Sequence, residues 1–315
     1  MEKPSFDPGL TQQYSGKLRR TINNNDGSFN VLRRGGSWRD INPYLHLVNM
    51  SLQRFLGVVI LAFICVNTLF ALIYFLLGPD QLLGTEAPTE WGRFLKGFYF
   101  SSHTLTTVGY GNIAPLGTAA NLIAILEALT GLLGFAIATG LLFGRFSRPS
   151  AKFGFSERML VAPYQDRLSL QFRIVNLRSN VLMDLTANVL FMSVEGPPEN
   201  RTRKFQQLAL ERDRVYFLPL TWTIVHPIDE KSPLWGITAQ DLERLQAEVL
   251  ILIKGFDDTF SQSVNARHSY RHDEIEWGAK FNPAFRIDEV GELVLDVDQV
   301  GHFTHLEAAH PALTE

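Results

Sequence analysis

Between Phe55 and Leu77 the chain reads FLGVVILAFICVNTLFALIYFLL, without a charged residue. Wound as a helix at about 1.5 Å per residue, this run reaches about 34 Å, enough to cross a bilayer. A second apolar stretch, Thr118 to Gly144, carries a single charge, Glu127. Between them lies HTLTTVGYGNIAP, residues 103–115. Irregular backbone is costly in hydrocarbon, because each unpaired N–H or C=O group costs several kcal/mol. Such a segment survives only where it is buried in protein or lines water. Any fold for this chain has to accommodate that break between two spans.

The first run is no signal peptide: it starts too late, is too long and lacks a small-residue cleavage site. Lys3, Lys17, Arg19, Arg20, Arg33, Arg34, Arg39 and Arg54 precede it. Arg145, Arg148, Lys152 and Arg158 follow the second span, whereas only Arg93 and Lys96 lie between the spans. The positive-inside rule therefore puts both termini in the cytoplasm, as a two-span hairpin requires. Cys65 is the only cysteine, so no intrachain disulfide forms, and a cytosolic main domain needs none. The sequons at Asn49 and Asn200 then face the cytoplasm or its membrane surface and read as chance matches.

Residues 1–36 are rich in Asn, Ser, Gly and Arg without an apolar period, and are expected to be a mobile cytoplasmic tail. Over 37–52, Asn42 suits a helix cap and Pro43 the first helical position, while Tyr44, Leu45, Leu47, Val48 and Leu52 give an apolar side. With Trp38 as an interface residue, this predicts an amphipathic helix lying flat on the inner leaflet. A membrane domain is expected over 53–147. It comprises an outer helix at about 55–77, a short helix at about 92–105, an extended loop at 107–111 and an inner helix at about 118–146. The short helix rests on Phe94, Phe98, Ser101, Ser102 and Leu105 at helical spacing. Helix and loop together make a re-entrant element.

From 148 to 301 the pattern changes to period two. RLSLQFRIVN, LTANVLFMSVE, RVYFLPLTWTIV, AEVLILIKGF and GELVLDVDQV read as strands, and TAQDLERLQ as a helix capped by Thr238. Many short strands with turn signals suggest a β-sandwich. Residues 302–315 read as a frayed tail.

In Thr107-Val108-Gly109-Tyr110-Gly111, alternate backbone conformations turn successive carbonyls toward one axis, and the glycines permit the positive φ this needs. The Val108 and Tyr110 side chains then point away and brace the strand from behind. Four such strands around an axis make stacked rings of oxygens that replace the hydration shell of K+. One chain supplies a quarter of each ring, so the reading requires a homotetramer, with K+ bound at Thr107, Val108, Gly109 and Tyr110. The preceding helix directs its negative C-terminal end toward the cavity below and favours a cation there.

These residues carry a resemblance. TTVGYG matches potassium channels in general. NPYLHLVNMSLQRFL, ATGLLFGRFSRPSAK, WTIVHPIDEKSPL and ARHSYRHDEIEWGAKF make the chain similar to inward-rectifier potassium channels, the prokaryotic branch above all, over about residues 36 to 300. The resemblance implies two transmembrane helices, a re-entrant pore helix, and a cytoplasmic immunoglobulin-like β-sandwich that assembles as a tetramer and extends the pore. Eukaryotic members carry an extracellular cysteine pair that this chain cannot form. That favours a bacterial inner-membrane protein.

Glu127, one helical turn before Gly131, must face protein or water. It reads either as a bond behind the filter or cavity-facing charge, or as a hydrogen bond between helices. His103 stands where the family usually has a glutamate behind the filter, which puts the usual ion pair in doubt. It reads as a pH-sensitive group or as a neutral imidazole in one hydrogen bond. Gly131, Gly134 and Gly140 allow close packing or bending of the inner helix. Phe143 matches the family's bulky gate residue at the inner helix crossing. Phe135 falls where strongly rectifying relatives carry an acidic cavity residue, so weak block by Mg2+ or polyamines is implied. Arg145, Arg148 and Lys152 suit anionic lipid, at about 1 kcal/mol for each basic residue near the surface. Gly255, Phe256, Asp257, Asp258, Thr259 and Phe260 match the apical cytoplasmic loop, where the two aspartates could ring a cation path or simply form a solvated turn. His268 and His272 lie on strand-like sequence and share no helix face, so no metal site is expected.

No G-x-G-x-x-G follows a strand, and there is no P-loop and no H-E-x-x-H, so no enzyme, organic cofactor or nucleic-acid partner is expected. Voltage sensing would need more spans and an arginine-rich helix. A membrane-anchored β-sandwich that binds a partner without conducting is the alternative reading. It leaves the filter motif unexplained. The sequence thus points to passive K+ conduction.

Overall fold

The computed structural model describes residues 8–14, 16, 19–32, 34–35, 42–147, 152–197 and 199–306. Trp38, Arg148 and 307–315, which carry expectations above, lie outside the described residues. The chain divides into two compact units, Arg34–Arg148 and another that combines Met1–Arg33 with Pro149–Glu315.

In the first unit, α1 (Pro43–Asn49) is capped by Asn42, whose Oδ1 accepts from the Leu45 N–H at 3.2 Å. The backbone turns extended at Met50 and Ser51, and α2 (Leu52–Leu77) begins. It starts ahead of the charge-free run because Gln53 and Arg54 complete its first turn, where polar side chains cost a helix little. α3 (Glu90–Leu105) also starts earlier than its apolar spacing suggests, because Thr89 Oγ1 caps it by accepting from the Gly92 N–H at 3.1 Å. α4 spans Thr118–Phe146. Both α2 and α4 are long and apolar enough to cross a membrane. α3 packs against both, and Tyr74, Leu82, Phe100, Ile113 and Ala120 bury one another in the wedge so formed.

The second unit is a sandwich of two five-stranded sheets. β1 (Leu82–Leu83) and β2 (Ala114–Pro115) belong to the membrane unit. The sandwich strands are β3 (Phe153–Phe155), β4 (Met159–Tyr164), β5 (Arg167–Asn176), β6 (Leu182–Glu195), β7 (Thr202–Gln207), β8 (Arg214–Phe217), β9 (Thr221–Pro227), β10 (Glu248–Asp257), β11 (Gln262–Arg271) and β12 (Ile275–Trp277). One sheet runs β11-β10-β6-β7 with β8 also on β6; the other runs β12-β4-β5-β3 with β9 on β5. Period-two alternation sends Phe172 and Ile174 from one sheet, and Val189, Phe191, Val249 and Ile251 from the other, into a common core. RVYFLPLTWTIV, expected as one strand, is two: β8 and β9 lie in different sheets, and the chain crosses between them at Pro219, which cannot donate to a ladder. α5 (Ala239–Arg244) has a capping box between Thr238 and Asp241.

The expectation of a mobile tail over 1–36 needs correction. The described residues between 8 and 32 form a strap on the outer face of the first sheet. Ile22 is buried with Met192, Val194, Phe205 and Leu250, and Leu10 and Tyr14 pack beside it. The Thr21 N–H and Oγ1 donate to the carboxylate of buried Glu248 at 2.9 and 2.8 Å. Asn24 behaves like a strand residue: its Oδ1 accepts from the Ser269 N–H at 3.0 Å, and its Nδ2 donates to the Ser269 carbonyl at 2.9 Å. Arg20 pairs with Glu274. A turn over 23–28 folds the strap back, so that Ile22 bridges Phe29. Asn-rich, polar sequence had suggested solvation, but those side chains replace ladder hydrogen bonds instead.

His268 lies under this strap. Its ring stacks on Phe155 at 4.4 Å and meets Tyr270 edge-on. Its Nε2 is 3.3 Å from the Asn24 amide nitrogen, a donor, and so must accept. Burial, with the Arg20 guanidinium adding to it, pushes the imidazole down to about 4. The unfolded chain therefore takes up this proton first, at about pH 6.5. The stability contributed by a neutral His268 is complete above that value and is lost as pH falls toward 4, roughly 3 kcal/mol by pH 4. Thermal melts of the full chain between pH 8 and 4 should show this loss, and His268→Gln should flatten that part of the profile.

Candidate ion-conduction site

The geometry of the break follows from how α3 ends. Thr106 closes the helix, its N–H bonded to the Ser102 carbonyl at 3.2 Å. The Thr107 N–H then donates to the Thr104 carbonyl, and the N–H groups of Val108 and Gly109 both donate to the His103 carbonyl at 2.9 and 3.2 Å. Thr107, Gly109 and Gly111 have φ of 61°, 56° and 80°, whereas Val108 and Tyr110 do not have positive φ. This alternation is what aims successive carbonyls the same way. Two of the left-handed positions are glycine, which bears the conformation without strain; Thr107 does not. Among the described residues no protein donor reaches a carbonyl of 107–111. The loop's early N–H groups are thus anchored to the helix, and its carbonyl oxygens are left open.

The far end of the loop is pinned separately. Leu82 pairs with Pro115 and Leu83 with Ala114, and the Leu116 N–H donates to the Gln81 carbonyl at 2.9 Å. Gly84, at φ +79°, lies so close to the Asn112 carbonyl that a Cβ would come within 2.3 Å of its oxygen. Lys96 Nζ donates to the Gly84 and Glu86 carbonyls.

His103 forms no ion pair among the described residues. Its ring meets Tyr110 edge-on at 4.7 Å, an aromatic brace in place of a charged one. Glu127 is fully buried: Tyr74 Oη donates to its Oε2 at 2.7 Å, and Ser101 Oγ bonds its Oε1. Of the readings left open for Glu127, a cavity-facing charge is excluded, and hydrogen bonds between three helices are found. Gly131 is where α4 touches the end of α3: a Cβ there would stand 2.0 Å from the Leu105 carbonyl oxygen. Among the described residues no such neighbour lies near Gly134 or Gly140. Phe135 and Phe143 are 74% and 72% exposed in the single chain.

Arg145 does more than follow the span. Its guanidinium donates to the carbonyls of Val48 and Met50, and so caps the C-terminal end of α1. Lys152 is exposed. In the apical loop the two aspartates differ. Asp257 is 1% exposed and turned inward: Oδ2 accepts from Asn180 Nδ2 at 2.8 Å, and Oδ1 from the Thr259 N–H at 3.0 Å. The expectation that Asp257 presents charge to a cation path is corrected; it organises the turn, while Asp258 and Thr259 are exposed. Gly255 packs on Leu185, and Phe256 and Phe260 are partly buried.

Sequence reading missed Asn67, Tyr74 and Ser101 as partners of Glu127. A signal existed: Asn67 and Tyr74 stand seven apart in an apolar span, on the same helical face.

Two family models match the chain, the inward rectifier potassium channel C-terminal domain over residues 153–315 and an ion channel domain over residues 58–148. The inward rectifier potassium channel Kirbac3.1 of Paramagnetospirillum magnetotacticum is 36% identical over 280 residues, 88% of this chain and 93% of its own length. This chain belongs to the inward rectifier potassium channel family. The family is one of ion channels, not enzymes. G protein-activated inward rectifier potassium channel 3 of Mus musculus is 28% identical over 91% of this chain and 79% of its own. ATP-sensitive inward rectifier potassium channel 11 of Oryctolagus cuniculus is 26% identical over 87% and 74%.

Gly131→Ala should drive α3 and α4 apart and destabilise the membrane unit by about 1–3 kcal/mol. Gly57→Ala, with nothing within 4 Å of its Cβ position, should be neutral or stabilising by up to about 1 kcal/mol. Melting temperatures of the two purified variants check the contrast.

Proposed function

We propose that four copies of this chain surround one axis and conduct K+ passively across the bacterial inner membrane, with both termini cytoplasmic. The observation that carries this reading is the loop 107–111. Positive φ alternates along it, its N–H groups at Val108 and Gly109 are tied to His103, and its carbonyls have no donor among the described residues. Oxygens so presented from four chains would take the place of water around a K+ ion. The permeant ion is the substrate, and no bond is made or broken.

The remaining roles follow from position. Thr107, Val108, Gly109, Tyr110 and Gly111 form the filter, and Thr107 offers its hydroxyl as well. His103 and Glu127 support it from behind. Phe135 faces the cavity, and its apolar ring gives Mg2+ or polyamines little to hold, so rectification is weak. Phe143, with bending at Gly140, gates the inner end as a dry constriction. Gly131 acts by packing. Arg148 and Lys152, with Arg145 at the base of α1, respond to anionic lipid. In the apical loop Asp258 is the charge available to passing cations.

Reconstituted in liposomes, the protein should carry K+ and leave Na+ near background, with block by barium and a response to anionic lipid. Gly109→Ala places a Cβ on a left-handed residue at about 1–2 kcal/mol per chain and should abolish the K+ preference. Equal flux of both cations through the wild-type protein, or a purified assembly of fewer than four chains, would defeat the proposal.

A further inference from the structure

We propose that Glu127 is held as a neutral carboxylic acid and that, in this form, it positions α3 between α2 and α4; the inference deepens the filter-support role given to Glu127 above and rests on it. The cluster around Ser101 holds one hydrogen too few unless Glu127 carries it. Ser101 Oγ lies within hydrogen-bond distance of two oxygens, Glu127 Oε1 and Asn67 Oδ1, the latter at 3.0 Å. A serine hydroxyl has one hydrogen and can satisfy only one of them. The orientation of the Asn67 amide is set by its other end, where Nδ2 donates to the Phe63 carbonyl at 2.7 Å. Turning the amide over would place two carbonyl oxygens at that distance.

A proton on Glu127 Oε1 resolves the conflict. Glu127 then donates to Ser101 Oγ, Ser101 donates to Asn67 Oδ1, and Asn67 donates to Phe63, all in one direction. Glu127 Oε2 is left as the carbonyl oxygen, which accepts from Tyr74 at 2.7 Å. An ionised Glu127 would leave a buried acceptor facing Ser101 without a hydrogen. It would also leave a charge uncompensated, because Glu127 takes part in no ion pair among the described residues. Nothing from outside can supply the missing cation. Glu127, Ser101 and Asn67 are each 0% exposed, and Tyr74 is 2% exposed, within the single chain. Water, lipid and a second copy are all shut out. The acid thus joins α2 through Tyr74 and Asn67, α3 through Ser101, and α4 through its own backbone; Ser101 stands two residues before the loop's anchoring carbonyl at His103.

Infrared spectroscopy of the purified assembly at pH 8, where exposed carboxyls are ionised, reads this proton without reference to conduction. The expected result is a protonated-carboxyl C=O band that Glu127→Gln removes and that Tyr74→Phe moves to higher frequency, since the carbonyl loses a donor. Glutamine keeps the same donor and acceptor, so that variant should melt within about 2 °C of wild type. Its K+/Na+ flux ratio should stay within about twofold, whereas Glu127→Leu, which strands Ser101 and Tyr74, should lower the ratio roughly tenfold. The proposal is overturned if no protonated band exists at pH 8, or if Glu127→Gln fails to assemble or loses selectivity as the leucine variant does. The band is read on detergent-solubilised protein, so a wild-type protein that does not select K+ would sink the filter reading and leave the proton assignment standing.

Discussion

Hydrocarbon answers no hydrogen bond, so a stretch of chain at membrane depth must find its partners in protein or in whatever moves past it. The loop after α3 obeys this by dividing its polar groups. Part of its N–H complement is returned to the helix it leaves, and its far end is held by a two-residue β pair. What remains open is a row of oxygens. Several contacts of the membrane unit bear on the helix that carries this row. The glycine contact between α4 and the end of α3, the aromatic contact behind Tyr110 and the buried polar cluster at Glu127 all act on one short helix.

The same unit is incomplete as a single chain. Val108 and Tyr110, the side chains behind the loop, are half or more exposed, and so are Phe135, Phe143 and Phe146 along the inner helix. Some of this surface meets lipid, where aliphatic side chains are at home. Val108 and Tyr110, which back a row of carbonyl oxygens, are instead surface for neighbouring copies of the chain to cover. The packing that positions α3 is, by contrast, internal to each chain, so each copy can present its oxygens in a formed geometry before assembly adds the rest.

Much of this was legible in the residues. Long apolar runs gave the spans, the glycine alternation gave the loop, and period-two patterning gave the sandwich. The errors have identifiable causes. Composition judged residues 8–32 as solvated, yet β6 carries a warning: in VLFMSV the alternation stops, because apolar residues are needed on both faces where the strap covers the sheet. A glutamate heading the apolar strand β10 was another sign that something polar comes to meet it. Asp257 was also readable by parity. Counting by twos from Val249 through Ile251, Ile253 and Gly255 arrives at Asp257 on the inward side, and leaves Asp258 outside. The partners of Glu127 were harder, since only the crossing of three helices brings Asn67, Tyr74 and Ser101 to one point.

The strap also imposes an order on biosynthesis. Residues 8–32 precede both long apolar helices in the chain, whereas Glu248, Ser269 and Glu274, which hold them, follow both. The strap must therefore wait for its partners, with more than two hundred residues intervening. Contacts of such separation form slowly. The sheet face formed by Met192, Val194, Phe205 and Leu250 thus stays uncovered until the strap meets β10.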